Sequence, residues 1–388
     1  MILDKPRGIY IHLPFCKTKC PYCDFASFAK EDDKRQVYID ALVREIDARM
    51  QKWAFEPGTI ETIFFGGGTP SVHSKAELAQ VLDKVKQHFS LADSVEITLE
   101  ANPGTIDRSK LEQFLELGVN RISFGAQSFD AALLDKLGRG HSVQDSINFI
   151  EVLTELFPDS LNSWSFDLIY GLPGQTIESW LSTVETALSY KPPHISAYCL
   201  SIEKNTPYGK IYKDSSHATL PQEEDLVTMY ERANELFATA GLQRYEISNW
   251  AKPGHEARHN LIYWRAQEYY AFGLSAHGYV DSYRYHNTRD LDEYINASTV
   301  ASNGGIKVAA IQVESVKIDN EEKLEEKIML QMRLAEGLDL DQQIQAYINV
   351  DNLEKMKKAG FISGDKNIKL TDKAQMLSNR IIAELCYH

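Results

Sequence analysis

Cys16, Cys20 and Cys23 stand in the run Cys-Lys-Thr-Lys-Cys-Pro-Tyr-Cys, a C-x3-C-x2-C spacing that gathers three thiols in one short loop. Thiolates at this density are ligands for a soft metal, and their number matters. A closed structural zinc site needs four ligands, and a plain [4Fe-4S] electron carrier also takes four cysteines. A cube held by three leaves one iron open to a small molecule. Zinc with His12 as fourth ligand is the alternative, although His12 lies four residues before Cys16 inside a strand pattern. The chain has five cysteines, an odd number, with Cys199 and Cys386 far from the cluster, which is not how a disulfide framework is built. Lys17 and Lys19 flank the thiols and should favour thiolate formation.

The elements that must position this loop follow a βα alternation. Strands are expected at Gly8 to Leu13, Glu61 to Phe65, Val95 to Leu99, Asn120 to Phe124, Ser165 to Tyr170 and His194 to Leu200, each followed by an amphipathic run. Helix starts are marked by Ser74 with Glu77, by Asp107, by Thr176 and by Thr219 with Pro221. Short strands joined by helical crossovers make a parallel sheet, and six units in a row point to an open or partial TIM-like barrel, (β/α)6. In such a barrel the C-terminal strand ends share one rim. Along it would stand the cysteines, then Gly66-Gly67-Gly68-Thr69-Pro70, Glu100, Gln127, Asp167 and Ser201.

The glycine run lacks the third glycine of a dinucleotide fingerprint and the lysine of a P-loop. What three glycines offer is backbone that approaches a ligand closely and tolerates positive φ; a tight turn after a buried strand is the plainer alternative. Glu100 closes a hydrophobic strand, where a carboxylate needs a donor, an amino group or a ribose hydroxyl, unless it merely caps a neighbour. Gln127, Arg139 and Asp167 have equally plain alternatives as a buried amide, a solvated charge and half of an ion pair.

Composition bounds the rest. The 388 residues carry 41 Lys+Arg against 55 Asp+Glu, a net charge of −14, with no basic block of the kind nucleic-acid binding needs. No apolar run is long enough to cross a bilayer, and the expectation is a cytoplasmic protein. From about residue 250 the pattern changes, with dense Trp, Tyr, His and Asn to Tyr285, a glycine pair at Gly304-Gly305 and an acidic helical run from Asp319. The expected division is 1–248 for the barrel and 249–388 for a smaller C-terminal α+β domain. Its end, with helices near Leu340 to Ile348 and Asp351 to Ala359, a hairpin from Phe361 to Leu370 and a closing helix, reads as winged-helix-like.

The cysteine spacing after a first strand, joined by a glycine-rich second loop, resembles the radical S-adenosylmethionine (radical SAM) superfamily. Closer likeness lies in Tyr10-Ile-His-Leu-Pro-Phe-Cys16, Phe65-Gly-Gly-Gly-Thr-Pro70, Ser123-Phe-Gly-Ala-Gln-Ser-Phe129 and Asp167-Leu-Ile-Tyr-Gly-Leu-Pro-Gly-Gln-Thr176. These resemble the oxygen-independent coproporphyrinogen III oxidase family over nearly the whole chain. The resemblance implies a [4Fe-4S] cluster on Cys16, Cys20 and Cys23 whose open iron chelates SAM, the source of a 5′-deoxyadenosyl radical in that superfamily. It implies SAM contacts from Tyr10, Tyr22, Gly67 and Glu100, and a second set at Gly68, Thr69, Gln127, Arg139 and Asp167.

Two departures separate the chain from the oxidase. Phe25 stands where the oxidase has a further cysteine, and only fifteen residues precede Cys16. In exchange the chain has His259-Asn260-Leu261-Ile262-Tyr263-Trp264, an HNxxYW motif that resembles the heme-chaperone branch of the family. That resemblance implies heme as a ligand and a heme-acceptor protein as partner, membrane-associated acceptors included, in place of oxidase chemistry. His259 is then a candidate axial ligand, Asn260, Tyr263 and Trp264 the rest of the heme motif, and Arg258 and Arg265 candidate propionate partners. The plainer alternative makes His259 a polar cap and Trp264 an aromatic anchor between domains. Oxidative decarboxylation of coproporphyrinogen III, or another radical SAM reaction on a tetrapyrrole, is the competing function.

Overall fold

The computed structural model describes residues 5–53, 57–157, 163–213, 217–299 and 311–386; the pair Gly304-Gly305 lies outside them. Six parallel strands, β1 (Gly8–Leu13), β2 (Ile60–Gly67), β3 (Leu91–Ala101), β4 (Arg121–Gln127), β5 (Ser163–Tyr170) and β6 (His194–Cys199), lie side by side in chain order. Their crossovers carry α1 (Arg35–Lys52), α2 (Lys75–His88), α3 (Arg108–Glu116), α4 (Ala131–Lys136), α5 (Val143–Leu156) and α6 (Ile177–Ser189). After β6 come α7 (Pro207–Ile211) and α8 (Glu223–Thr239). All six expected strands are present. β3 begins four residues earlier than its pattern, because Ala92, Asp93 and Ser94 lack alternation yet Leu91 still pairs with Ile60 across a register shift.

The caps at Ser74, Asp107 and Thr176 form as expected, Ser74 with a reciprocal Glu77 box. Thr219 does not cap α8. The helix begins at Glu223 behind Gln222, whose N–H donates to Asp225 at 3.2 Å, and three acids in its first turn suit the positive helix end.

Among the described residues the strand pairings run in a linear order. Beyond β6 it continues antiparallel through β8 (Asn249–Ala251) and β7 (Gln243–Glu246). On the other side β9 (Tyr269–Phe272) pairs parallel with β1, and β10 (His277–Val280), β11 (Tyr283–Asn287) and β12 (Gln312–Lys317) follow antiparallel. This open (β/α)6 arrangement leaves one rim, at the C-terminal ends of β1 to β6, free to hold a site. The buried Glu45 carboxylate locks α1 to the β9–β11 edge: it accepts from Arg49 at 2.7 Å, the Gly273 N–H at 2.8 Å, Asn287 at 2.8 Å and the Tyr294 hydroxyl at 2.6 Å.

A second hydrophobic core, centred on Ile328, Leu338, Ile344, Leu353, Ile368 and Leu385, stands apart from the main one. It packs α10 (Asn320–Gln331), α11 (Gln342–Tyr347), α12 (Val350–Lys358) and α13 (Ser378–Cys386) around a small antiparallel sheet. Strands β14 (Ile362–Ser363) and β15 (Asn367–Leu370) are the expected hairpin, and β13 (Leu338–Asp339), too short to leave a pattern, adds a third strand.

Candidate functional site

The cysteine loop leaves β1 through a two-residue parallel ladder, Phe15–Cys16 against Phe28–Ala29, and turns with the Cys23 N–H on the Cys20 carbonyl at 3.2 Å. The three half-buried thiols edge a cavity of about 910 Å³. Among the described residues no three His, Cys, Asp or Glu side chains meet as closely as a single ion demands. A cubane asks for no such meeting, since each cysteine binds a different iron. His12 offers no fourth ligand, because its Nε2 pairs with the Ala26 carbonyl at 2.9 Å and its Nδ1 with the Tyr10 hydroxyl at 3.0 Å. The two lysines do not act as expected. Lys19 donates to the Phe25 carbonyl at 2.6 Å and to Ser27 at 2.8 Å, and Lys17 to the Gly104 carbonyl at 2.5 Å, so both ammonium groups brace backbone. Burial, opposed by hydrogen bonds from Thr69 and Ser27, holds the Cys16 thiol above its ordinary pKa.

The glycine run is closed against this loop. The Gly68 N–H donates to the Leu13 carbonyl at 2.9 Å and the Thr69 N–H to the Phe15 carbonyl at 2.8 Å. A Cβ on Gly68 would stand 2.7 Å from the Phe15 oxygen, and one on Gly67, at φ +108°, would enter the His12 ring at 2.5 Å. These glycines therefore serve first to seat the second loop on the cysteine loop. Gly68→Ala should cost about 1–3 kcal/mol through overpacking against rigid backbone; a denaturant midpoint equal to that of the parent chain would contradict it.

Alternate residues of the strands face the same cavity and form its wall: Thr98 and Glu100 on β3; Arg121, Ser123, Gly125 and Gln127 on β4; Ser165, Asp167 and Ile169 on β5; His194, Ser196 and Tyr198 on β6. Tyr10, Tyr22, Gly67, Gly68, Thr69 and Arg139 complete it, so every residue proposed for SAM lines one space. Thr69 donates to the Cys16 sulfur at 3.4 Å and accepts from Asn102 at 3.0 Å. Arg139 is no solvated charge: it donates to Asn102, to the Gly125 carbonyl at 3.0 Å and to the Tyr22 hydroxyl at 3.3 Å, with Cys20 at 4.0 Å. Gln127 takes a positive φ of 65°, which turns the end of β4 into the rim.

Two carboxyls lie deep in this wall. Among the described residues Glu100 accepts only the Gly67 N–H, at 3.2 Å, and burial, reinforced by Asp167, pushes its pKa up to about 8. The Ser123 hydroxyl reaches both oxygens of Asp167 at 3.1 Å; burial raises this carboxyl to about 6, opposed by bonds from Ser196 and Ser123 and by Arg139 and Arg121. Among the described residues the Oγ1 of Thr98, Nη2 of Arg121, Nε of Arg139 and Nδ1 of His194 are buried without partners. Carboxyls short of positive charge, beside unused donors, suit a ligand that carries both a cation and oxygen acceptors, as SAM does. Sequence reading missed Thr98, Arg121, Ser123, Ser165, His194 and Ser196. Their signal was present as polar residues at every second strand position, hidden among serines and threonines that strands accept anyway.

The HNxxYW motif occupies α9 (Arg258–Trp264). Asn260 and Tyr263 line the cavity, whereas His259 and Trp264 do not. The His259 ring is buried, stacks on Phe64 at 5.2 Å, and has both nitrogens engaged, Nδ1 with the Thr62 hydroxyl and Nε2 with the Tyr263 hydroxyl, each at 2.7 Å. Burial lowers its pKa to about 3. Arg258 donates to the carbonyls of Glu61 and Ser94, and Arg265 binds Glu336 through two 2.8 Å bonds. In this conformation neither arginine stands ready for a propionate. Arg265 instead ties the motif to the C-terminal unit.

A (β/α)6 sheet with a C-x3-C-x2-C loop on its rim and a glycine run seated on that loop defines a protein of the radical SAM class. A model of the radical SAM superfamily matches residues 10–187, and the HemN C-terminal domain matches 318–377. The chain is 39% identical over 276 residues to the heme chaperone HemW of Haemophilus influenzae, covering 70% of each, and 33% identical over 384 residues to that of Bacillus subtilis, covering 97% of this chain and 98% of the relative. It superimposes on the coproporphyrinogen III oxidase HemN from Escherichia coli with a TM-score of 0.82 at 21% identity, over 99% of this chain and 90% of that one. The chain belongs to the HemW family.

Proposed function

We propose that the chain binds heme and passes it to an acceptor protein, on a scaffold that also carries a [4Fe-4S] cluster and SAM. The observation that carries this reading is membership of a family whose relatives bear the name heme chaperone HemW. It is supported by position 25, where a phenylalanine, 70% exposed, edges the cysteine cavity. When bound, the cluster would supply an iron with a free coordination position. Cys16, Cys20 and Cys23 would hold it, Thr69 would donate to the Cys16 sulfur, and Glu100, Gln127, Arg139 and Asp167 with Tyr10, Tyr22, Gly67 and Gly68 would orient SAM. Asn260 and Tyr263 present the cavity side of the heme motif, with His259 and Trp264 behind them. Among the described residues no helix is long and apolar enough to cross a membrane.

The test is anaerobic reconstitution with iron and sulfide, then addition of heme and, separately, of coproporphyrinogen III with SAM and a reductant. A stable heme spectrum without decarboxylated porphyrinogen is the expected result. Turnover of coproporphyrinogen III would make the protein an oxidase and overturn the proposal.

A further inference from the structure

We propose that the imidazole presented to heme iron is that of His277, not that of His259 in the HNxxYW motif. This rests on the heme-binding reading above and names the ligand within it. Three histidines line the cavity among the described residues, His12, His194 and His277. His12 has both nitrogens bonded, as described. His194 has a free Nδ1 but is buried at the first residue of β6, the end away from the rim, with Nε2 on the Tyr245 hydroxyl at 2.8 Å. His277, at the start of β10, is exposed on the rim, and among the described residues its side chain makes no hydrogen bond. His259 can reach iron only by leaving Thr62, Tyr263 and Phe64 together.

The surroundings of His277 are those of a built ligand. Its ring lies flat against His286, centroids 4.9 Å apart and planes 23° off parallel. Stacking fixes the plane of a ring but leaves its nitrogens, which point outward along the edges, available. His286 is itself held, Nε2 by Glu314 at 3.2 Å and Nδ1 by the Asn287 carbonyl at 3.3 Å, so a fixed plate orients the free imidazole, the task outer partners perform for metal-bound histidines. The strand beneath belongs to the edge that Glu45 locks to α1. Phe25 and Arg289 share the rim with His277. They offer an apolar face for a porphyrin and, for a propionate, a cation 61% exposed at its side chain, held by the Asp24 carbonyl at 2.7 Å and with the Asp24 carboxylate 4.0 Å away.

The experiment uses the full-length reconstituted chain, titrated anaerobically with heme and read by the Soret band and by the iron–histidine stretch of the ferrous complex in resonance Raman. The parent chain should show the histidine signature. His277→Ala should lose it and bind heme at least about tenfold more weakly, the lower bound for disturbing even an outer partner of a bound metal. Added imidazole should restore the signature, and the iron–sulfur band should stay unchanged. His259→Phe, which keeps the ring stack, should retain the signature. An unaltered signature in His277→Ala overturns this inference while leaving heme binding intact, and so does its loss in a folded His259→Phe. Absence of any heme complex in the parent chain would overturn the reading beneath it instead.

Discussion

Cys20→Ala yields a protein that, after anaerobic reconstitution, lacks the broad visible iron–sulfur absorption of the parent chain and retains little iron. Two thiolates cannot hold a cubane against competing thiols and chelators, and the cavity wall next to Cys20 offers Arg139 and Tyr22, a cation and a phenol, in place of a further soft ligand. The substitution should leave the fold intact. The loop is held by backbone and by Lys19: the Phe28 N–H donates to the Pro14 carbonyl at 2.7 Å, Lys19 to Phe25 and Ser27, and the Cys23 N–H to the Cys20 carbonyl, none of them through the Cys20 side chain. Thermal unfolding of the metal-free protein should therefore shift by no more than an ordinary surface change, about 0.5 kcal/mol. Iron and sulfide analysis beside the visible spectrum checks the result. A full cluster in the variant would remove Cys20 from the ligand set.

The contrast between such robust positions and the others explains what could be read in advance. Strand positions were legible because short segments rich in β-branched and aromatic residues, apolar at every second place or more, alternate with longer amphipathic runs, and β1 to β6 all lie where those segments lie. The rim residues were legible because Cys16, the glycine run and Glu100 interrupt those patterns at their ends, where a hydrophobic strand has no use for them. Lys19 and His259 were not. Whether an ammonium group faces a thiol or a carbonyl, and whether an imidazole faces a cavity or a threonine across two elements, depends on contacts such as Thr62 with His259, separated by 197 residues. His277 left no mark for a related reason. A lone histidine at the start of a four-residue strand has no spacing partner, and only the fold brings it to the rim of a loop formed more than 250 residues earlier. The glycine run was found for a reason the structure changes: close approach occurs, but to the carbonyls of Leu13 and Phe15.

SAM binding to the reconstituted protein should weaken about tenfold for each pH unit lowered below 8. Of the two donors open to Glu100, an amino group or a ribose hydroxyl, we assign it the amino group of SAM, a pairing that requires the carboxylate. Burial and the neighbouring Asp167 keep that carboxyl protonated up to about pH 8, so near neutrality binding must release its proton. Each unit costs about 1.36 kcal/mol, and between pH 8 and pH 6 the loss reaches about a hundredfold. The same shift has a consequence for the ligand-free fold. Because the folded pKa lies above the ordinary 4.5, the folded state binds more protons than the unfolded one between those values. Stability is therefore fullest below 4.5 and falls as pH rises toward 8. SAM should return stability most strongly at the alkaline end of that window, where the carboxylate is already charged. Calorimetric titrations in buffers of different ionisation enthalpy read the proton release directly, and Glu100→Gln should bind more weakly above pH 8 while losing both the release and the slope. An affinity for SAM that stays level from pH 6 to 8 would take Glu100 out of the amino-group contact and leave its raised pKa a consequence of burial alone.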